Sequence, residues 1–138
     1  MSLPRFAERS REAPGRLDTD ILLWRLSAGE ALPRRAGQII ADPDTVVTVS
    51  AASAWEIAIK KAAGRLDAPD DLLAALDANA FDTLAITAAH ALAAGELPVH
   101  HGDPFDRMLI AQARMEGLTL VTVDERFAEY DVELLPIH

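Results

Sequence analysis

The chain has 138 residues, half of them apolar but only 5% aromatic, and no cysteine. That length supports one domain with a sizeable Ala/Leu/Val-rich core, and the composition excludes disulfides, thiolate metal sites and a cysteine nucleophile. With 13 basic against 22 acidic residues the net charge is −9, which argues against tight nonspecific binding to a phosphate backbone.

No apolar run approaches a membrane span. The charges scattered from Met1 to Arg16 do not read as a signal peptide, so a soluble cytoplasmic protein is expected. Segment 1–13 reads as a poorly ordered or altered start, and 14–138 as a single domain. A central first strand should run through several apolar residues before Asp18, yet Ala13-Pro14-Gly15-Arg16 stand there. Pro and Gly disfavour a central strand, so this strand is either short and late or displaced by the altered start.

From there β-branched apolar runs alternate with Ala/Leu-rich helical patterns, the signature of βαβ units on a mostly parallel sheet. Helices are predicted near Asp20–Ser27 and Pro33–Ile40, then a strand at Thr45–Val49. Next come helices at Ala52–Ala63 and Pro69–Ala78, a strand at Phe81–Ile86, and helices at Ala88–Ala94 and Pro104–Glu116. A strand at Thr119–Val123, a helix at Glu125–Glu129 and a strand at Val132–Leu135 complete the order. Gly29, Gly64, Gly95 and Gly117 each follow a helical pattern, where a left-handed residue ends a helix.

Acids fall at the places where such a sheet binds ligands. Asp18, Glu56, Asp106 and Asp124 each sit just past an apolar run or near a helix start, and the carboxyl ends of parallel strands are the binding edge of an open α/β sheet. Four carboxylates converging there make a divalent-metal site. Each also has a structural reading. Asp18, Thr19 and Asp20 can cap a helix, with Asp20 a first-turn acid. Glu56 precedes Lys60 by four, the favoured order for a helical ion pair. Asp103 before Pro104 marks a helix N-terminus, with support of Asp106 as its alternative role. Asp106 shares a face with Leu109, Ile110 and Ala113, at the tip of a stripe that should be buried, where a carboxylate needs a metal, Lys or Arg. Asp124 can cap the helix that follows it, and Thr122 on the same strand side can bond a carboxylate or phosphate.

Other residues carry less. His100 and His101 lack a third histidine at ligand spacing and read as loop residues. Trp24 and Trp55 read as core or dimer-surface residues rather than base-stacking ones. Ser50 lacks the elbow pattern of a hydrolase nucleophile. Lys60, Lys61, Arg65 and Arg107 are the candidates for a basic rim along a phosphate backbone, with solvated surface as the alternative.

Four stretches occur in an order that resembles PIN-domain proteins, and the longer ones resemble the VapC-type toxins of toxin–antitoxin pairs. They are Leu17-Asp18-Thr19-Asp20-Ile21-Leu22-Leu23-Trp24, then Val49 to Lys60 with Ala54-Trp55-Glu56-Ile57-Ala58 at its centre. His101-Gly102-Asp103-Pro104-Phe105-Asp106-Arg107 onward to Ala113 follows, and then Leu120-Val121-Thr122-Val123-Asp124. The resemblance implies a three-layer α/β/α sandwich with a mostly parallel central sheet. It also implies an Mg2+- or Mn2+-dependent endoribonuclease, toxin of a toxin–antitoxin pair, held inactive by a cognate antitoxin and dimeric. Asp18, Glu56, Asp106 and Asp124 match the site acids; Asp20 stands where such sequences more often have His, Ser or Asn.

The competing readings are a catalytically degenerate PIN-like module that binds a partner, and a metal-dependent nuclease acting on DNA. A phosphoryl-accepting receiver domain is disfavoured, because no lysine follows Leu118.

Overall fold

The computed structural model describes residues 15–17, 34–42, 46–65, 67–99, 102–122, 125–132 and 134. The first strand, β1, is Gly15–Leu17: short and late, despite its glycine. Helix α1 (Arg34–Ala41) leads to β2 (Val47–Ser50), which passes directly into α2 (Ala51–Ala62). Helix α3 (Leu72–Ala78), β3 (Asp82–Leu84), α4 (Ala88–Glu96), α5 (Pro104–Glu116), β4 (Thr119–Val121) and a 3-10 helix at Glu125–Glu129 follow. The expected helix at Asp20–Ser27 lies outside the described residues.

The four strands are parallel in the order β3-β2-β1-β4. β1 is therefore central, paired at Gly15 with Val47 on one side and Thr119 on the other. Pro14 precedes the ladder, and Gly15 carries no side chain to fit between the layers, so neither blocks pairing. The chain steps outward from β1 through β2 to β3 and then returns to β4 across β1. Right-handed crossovers, the near-universal hand for parallel strands, put the helices of the outward and return legs on opposite faces, in three layers. The reversal makes the crevice between β1 and β4 the switch point, where ligands bind beyond the carboxyl ends. Leu17 and Val121 are paired there.

β2 and β4 are wholly buried and β3 is an exposed edge, so Val, Thr and Leu side chains on the inner strands are covered on both faces. Of the expected strand at Val132–Leu135, the described residues are Val132 and Leu134; Leu134 forms a parallel bridge with Leu120, and both pack against the core. That core joins α4 and α5 to β4 and the 3-10 helix, with Leu109, Ile110, Leu120 and Phe127 fully buried.

Gly64 and Gly117 follow helix ends as expected, Gly29 lies outside the described residues, and α3 starts at Leu72, capped by Asp71, rather than at Pro69. Gly64 and Gly117 adopt left-handed φ values of 71° and 67°, and Gly117 closes α5 by donating to Ala113 O. Gly95 does not end a helix; it lies inside α4, which runs on to Glu96 with Leu97 as its cap. Arg107 supplies what that end needs, for its guanidinium donates to Ala94 O and Leu97 O at 2.9 Å and to Pro98 O at 3.1 Å. A cation on the last carbonyls also complements the helix dipole.

Lys61, in the last turn of α2, instead ties that turn to the segment before α3. Its ammonium donates to Ala68 O, Pro69 O and Asp70 Oδ1 at 2.9, 3.1 and 2.9 Å. The hydrogen bond from Lys61, and then its charge, hold the Asp70 carboxyl below its ordinary value of 3.8. A depressed folded-state pKa stabilises above the unfolded value and loses that contribution as pH falls through the folded one. An NMR titration of the Asp70 carboxyl is expected to give a midpoint below 3.8, raised by salt and restored by Lys61→Met; a midpoint unmoved by that substitution would contradict the pairing.

Candidate active site

Two of the four carboxylates singled out from the sequence are in the described residues. Glu56 lies in the second turn of α2, and Asp106 is in the first turn of α5. Asp18, Asp20 and Asp124 lie outside the described residues, as do Thr19, Trp24, His100 and His101. In sequence Asp18 directly follows the last residue of β1, and Thr122 directly follows β4, on the two sides of the switch point. Among the described residues no three His, Cys, Asp or Glu side chains group as a metal site.

α2 starts where it does because Ser50 ends β2 in an extended conformation and its hydroxyl accepts from Ala52 N at 3.0 Å. This N-cap passes the chain from strand to helix without a loop. Asp103 does the same for α5, its Oδ1 accepting from Phe105 N at 2.8 Å and Asp106 N at 3.2 Å, with Pro104 in the first turn. The capping reading of Asp103 thus holds. Leu109, Ile110 and Ala113 are buried as the shared face required, and Asp106 is half-buried at its tip.

The two helices pack together with locally opposed directions. Ser50, at the start of α2, meets Gln112, late in α5, at 2.6 Å. Further along α2, Trp55 meets Phe105 edge to face, the ring centroids 5.3 Å apart. Glu56 and Asp106 each immediately follow one member of that aromatic pair, so the same interhelical contact carries both carboxylates. Trp55 is 60% exposed, which removes the core alternative of its reading and leaves the dimer-surface one.

Glu56 is only 5% exposed. The helical ion pair expected from spacing is present, Lys60 Nζ to Glu56 Oε2 at 2.9 Å. It accounts for one oxygen. Oε1 is buried with no hydrogen-bond partner among the described residues, and a buried carboxylate oxygen without a partner is costly. Hard oxygen donors of this kind suit Mg2+ or Mn2+, so the described residues fit a divalent ion. Thr122 is buried beside the end of β4.

Of the basic candidates, Lys60 holds Glu56, while Lys61 and Arg107 are directed to backbone carbonyls as described above; Arg65 is exposed. Sequence reasoning missed the polar group behind the carboxylates. Gln112, fully buried, accepts from Ser50 and donates to Ala85 O at 3.2 Å, and His90, 1% exposed, lies on its other side. Signals for both existed. Gln112 interrupts the apolar run Leu109-Ile110-Ala111, and Thr87-x-x-His90 has capping-box spacing, formed here with His90 Nδ1 accepting from Thr87 N.

Comparison with known proteins bears on the family and the fold. The PIN domain family matches residues 16–133, and the chain belongs to that family. Among solved structures, the fold is similar to a chain of VapBC2 of Rickettsia felis, a complex bound to a DNA fragment from its promoter. That match has 15% identity and a TM-score of 0.64, covering 88% of this chain and 96% of the other. A toxin–antitoxin complex from Klebsiella pneumoniae gives 19%, 0.64, 90% and 98%. DNA-bound VapBC from Salmonella typhimurium gives 19%, 0.63, 89% and 97%. No curated protein matches in sequence.

Proposed function

We propose that this chain is a divalent-metal-dependent endoribonuclease and the toxin of a toxin–antitoxin pair. The observation that carries the reading is buried Glu56, one oxygen of which has no partner among the described residues, on a helix packed against the one that bears Asp106. Membership of the PIN family and the similarity to chains of toxin–antitoxin complexes support it.

Asp18 and Asp106 are the direct ligands in this proposal, and Glu56 and Asp124 hold waters or a second ion. When bound, Mg2+ or Mn2+ supplies an attacking water of lowered pKa and stabilises charge on the leaving oxygen. Lys60 fixes Glu56 through Oε2 and leaves Oε1 to accept a proton from the attacking water. Asp103 keeps the first turn of α5 formed and so holds Asp106 in place; Thr122, with Thr19 and Asp20, supports the neighbouring carboxylates. Arg65 is the main candidate for the RNA-backbone rim, and Lys60, Lys61 and Arg107 can contribute to it only while keeping or exchanging their present partners.

With a net charge of −9, the protein gains little from nonspecific phosphate attraction, so shape and unpaired bases are the expected basis of RNA choice. A cognate antitoxin and a second copy of the chain are the proposed protein partners. The direct test incubates purified protein with a pool of structured and single-stranded RNAs in Mg2+, Mn2+ or EDTA. Cleavage restricted to the metal-containing reactions is expected. Cleavage of DNA alone would reassign the substrate, and no cleavage with no metal bound by calorimetry would leave a degenerate partner-binding module.

A further inference from the structure

We propose that Gln112 is a positioning residue that sets α2 against α5, and through them Glu56 against Asp106; this rests on the nuclease reading above. The two helices touch at a polar contact, Ser50 to Gln112, and at an aromatic one, Trp55 to Phe105. The aromatic contact is partly open to solvent, whereas Ser50 and Gln112 are both 0% exposed. The polar contact is therefore the one that water cannot replace.

Its direction is determined by what surrounds it. Ala85 O can only accept, and His90 Nδ1 already accepts from Thr87 N at 3.0 Å. Both lie 3.2 Å from Gln112 Nε2, so the amide nitrogen must face them and Oε1 must face Ser50. With Nδ1 an acceptor, His90 carries its proton on Nε2 and donates it to Glu116 Oε2 at 2.9 Å. Turning the amide over would set its oxygen against two acceptors.

Ser50 then has one arrangement open to it. Its hydroxyl proton goes to Gln112, and its lone pair takes Ala52 N, one of the orphan donors in the first turn of α2. The start of the helix that carries Glu56 is thereby tied to the middle of the helix that carries Asp106. Sliding or rotating either helix breaks the 2.6 Å bond and strands a buried donor and acceptor. Groups bonded directly to a metal ligand typically change metal affinity by about 10- to 100-fold when removed, and displacing the helices that carry the ligands is expected to reach the lower end of that range.

The test is Mn2+ titration by calorimetry on Gln112→Met, Ser50→Ala and the double variant, beside wild type and Asp106→Asn. Amide hydrogen exchange is followed in parallel. Gln112→Met is expected to weaken Mn2+ binding about tenfold or more and to speed exchange in α2 while α4 and β4 keep their protection. The double variant removes both members of the 2.6 Å bond but still takes the cap from Ala52 N, so its loss of thermal stability should be smaller than the sum of the two single losses, with no recovery of Mn2+ affinity. Tyr130→Phe removes a bond to Pro98 O outside α2 and α5; it should lower the melting temperature and leave Mn2+ binding unchanged.

Wild-type Mn2+ affinity in folded Gln112→Met would overturn the positioning role and leave the nuclease reading intact. If Gln112→Met does not fold, Ser50→Ala breaks the same bond from the other side, and unchanged affinity there overturns the role equally. Absence of Mn2+ binding in the wild type would overturn the nuclease reading and this role with it.

Discussion

Asp106→Asn is expected to lower metal-dependent RNA cleavage by about a thousandfold or more, equivalent to roughly 4 kcal/mol of transition-state stabilisation. Asn matches Asp in size and keeps the first-turn geometry that Asp103 and Pro104 set up. The substitution removes one charge near a helix N-terminus, a position where a charge is worth about 0.3–1 kcal/mol. Folding should survive, so a large activity loss reports chemistry. Glu56→Gln should behave alike in kcat and should also release Lys60 from its 2.9 Å ion pair. Initial rates on the cleaved RNA at saturating Mg2+ decide the matter. Retention of the wild-type rate in Asp106→Asn would remove Asp106 from the site, whatever the fate of the other acids.

Phe127→Ala carries the largest expected effect on stability, about 3–5 kcal/mol. Phe127 is 0% exposed and packs with Leu109, Ile110, Leu120 and Tyr130. It lies on a five-residue 3-10 helix, an element too short to persist on its own hydrogen bonds. The cavity cannot be filled from α5 or β4, whose facing side chains are already held in the core. A domain of ordinary stability has about 5–15 kcal/mol in total, so this one ring is a large share of it. Calorimetry should record a fall in melting temperature of roughly 10 °C or more. A fall of only a degree or two would mean that the 3-10 segment is not part of the cooperative core.

The two substitutions probe parts of the chain that differ in how far local sequence specifies them. α5 is legible from end to end. Asp103-Pro104 starts it, Gly117 stops it, and the stripe Leu109-Ile110-Ala113 states which face is buried. The order of strands and helices is legible too, because β-branched runs and Ala/Leu-rich runs have different periods. The short β1 was the difficult element. Gly15 and Arg16 have poor strand propensity, and pairing on both sides by β2 and β4 overrides it, since strand preference depends on neighbours more than on the residue itself. Gly95 failed for the converse reason: its local signal was a helix stop, but Arg107, distant in sequence, supplies the acceptors' partner beyond it.

Sequence by itself determined the α/β class, the family, the extents of the long helices and the candidate acids, because each of these is written in local periodicity, capping chemistry and short motifs. Tertiary structure alone decided that one oxygen of Glu56 is held by Lys60 and the other is buried without a partner among the described residues. It also decided that Trp55 stands exposed against Phe105, that Lys61 and Arg107 serve backbone carbonyls, and that Gln112 joins two helices through Ser50. The physical reason is that burial and hydrogen-bond satisfaction are settled between elements far apart in the chain, whereas periodicity and caps are settled within a few residues.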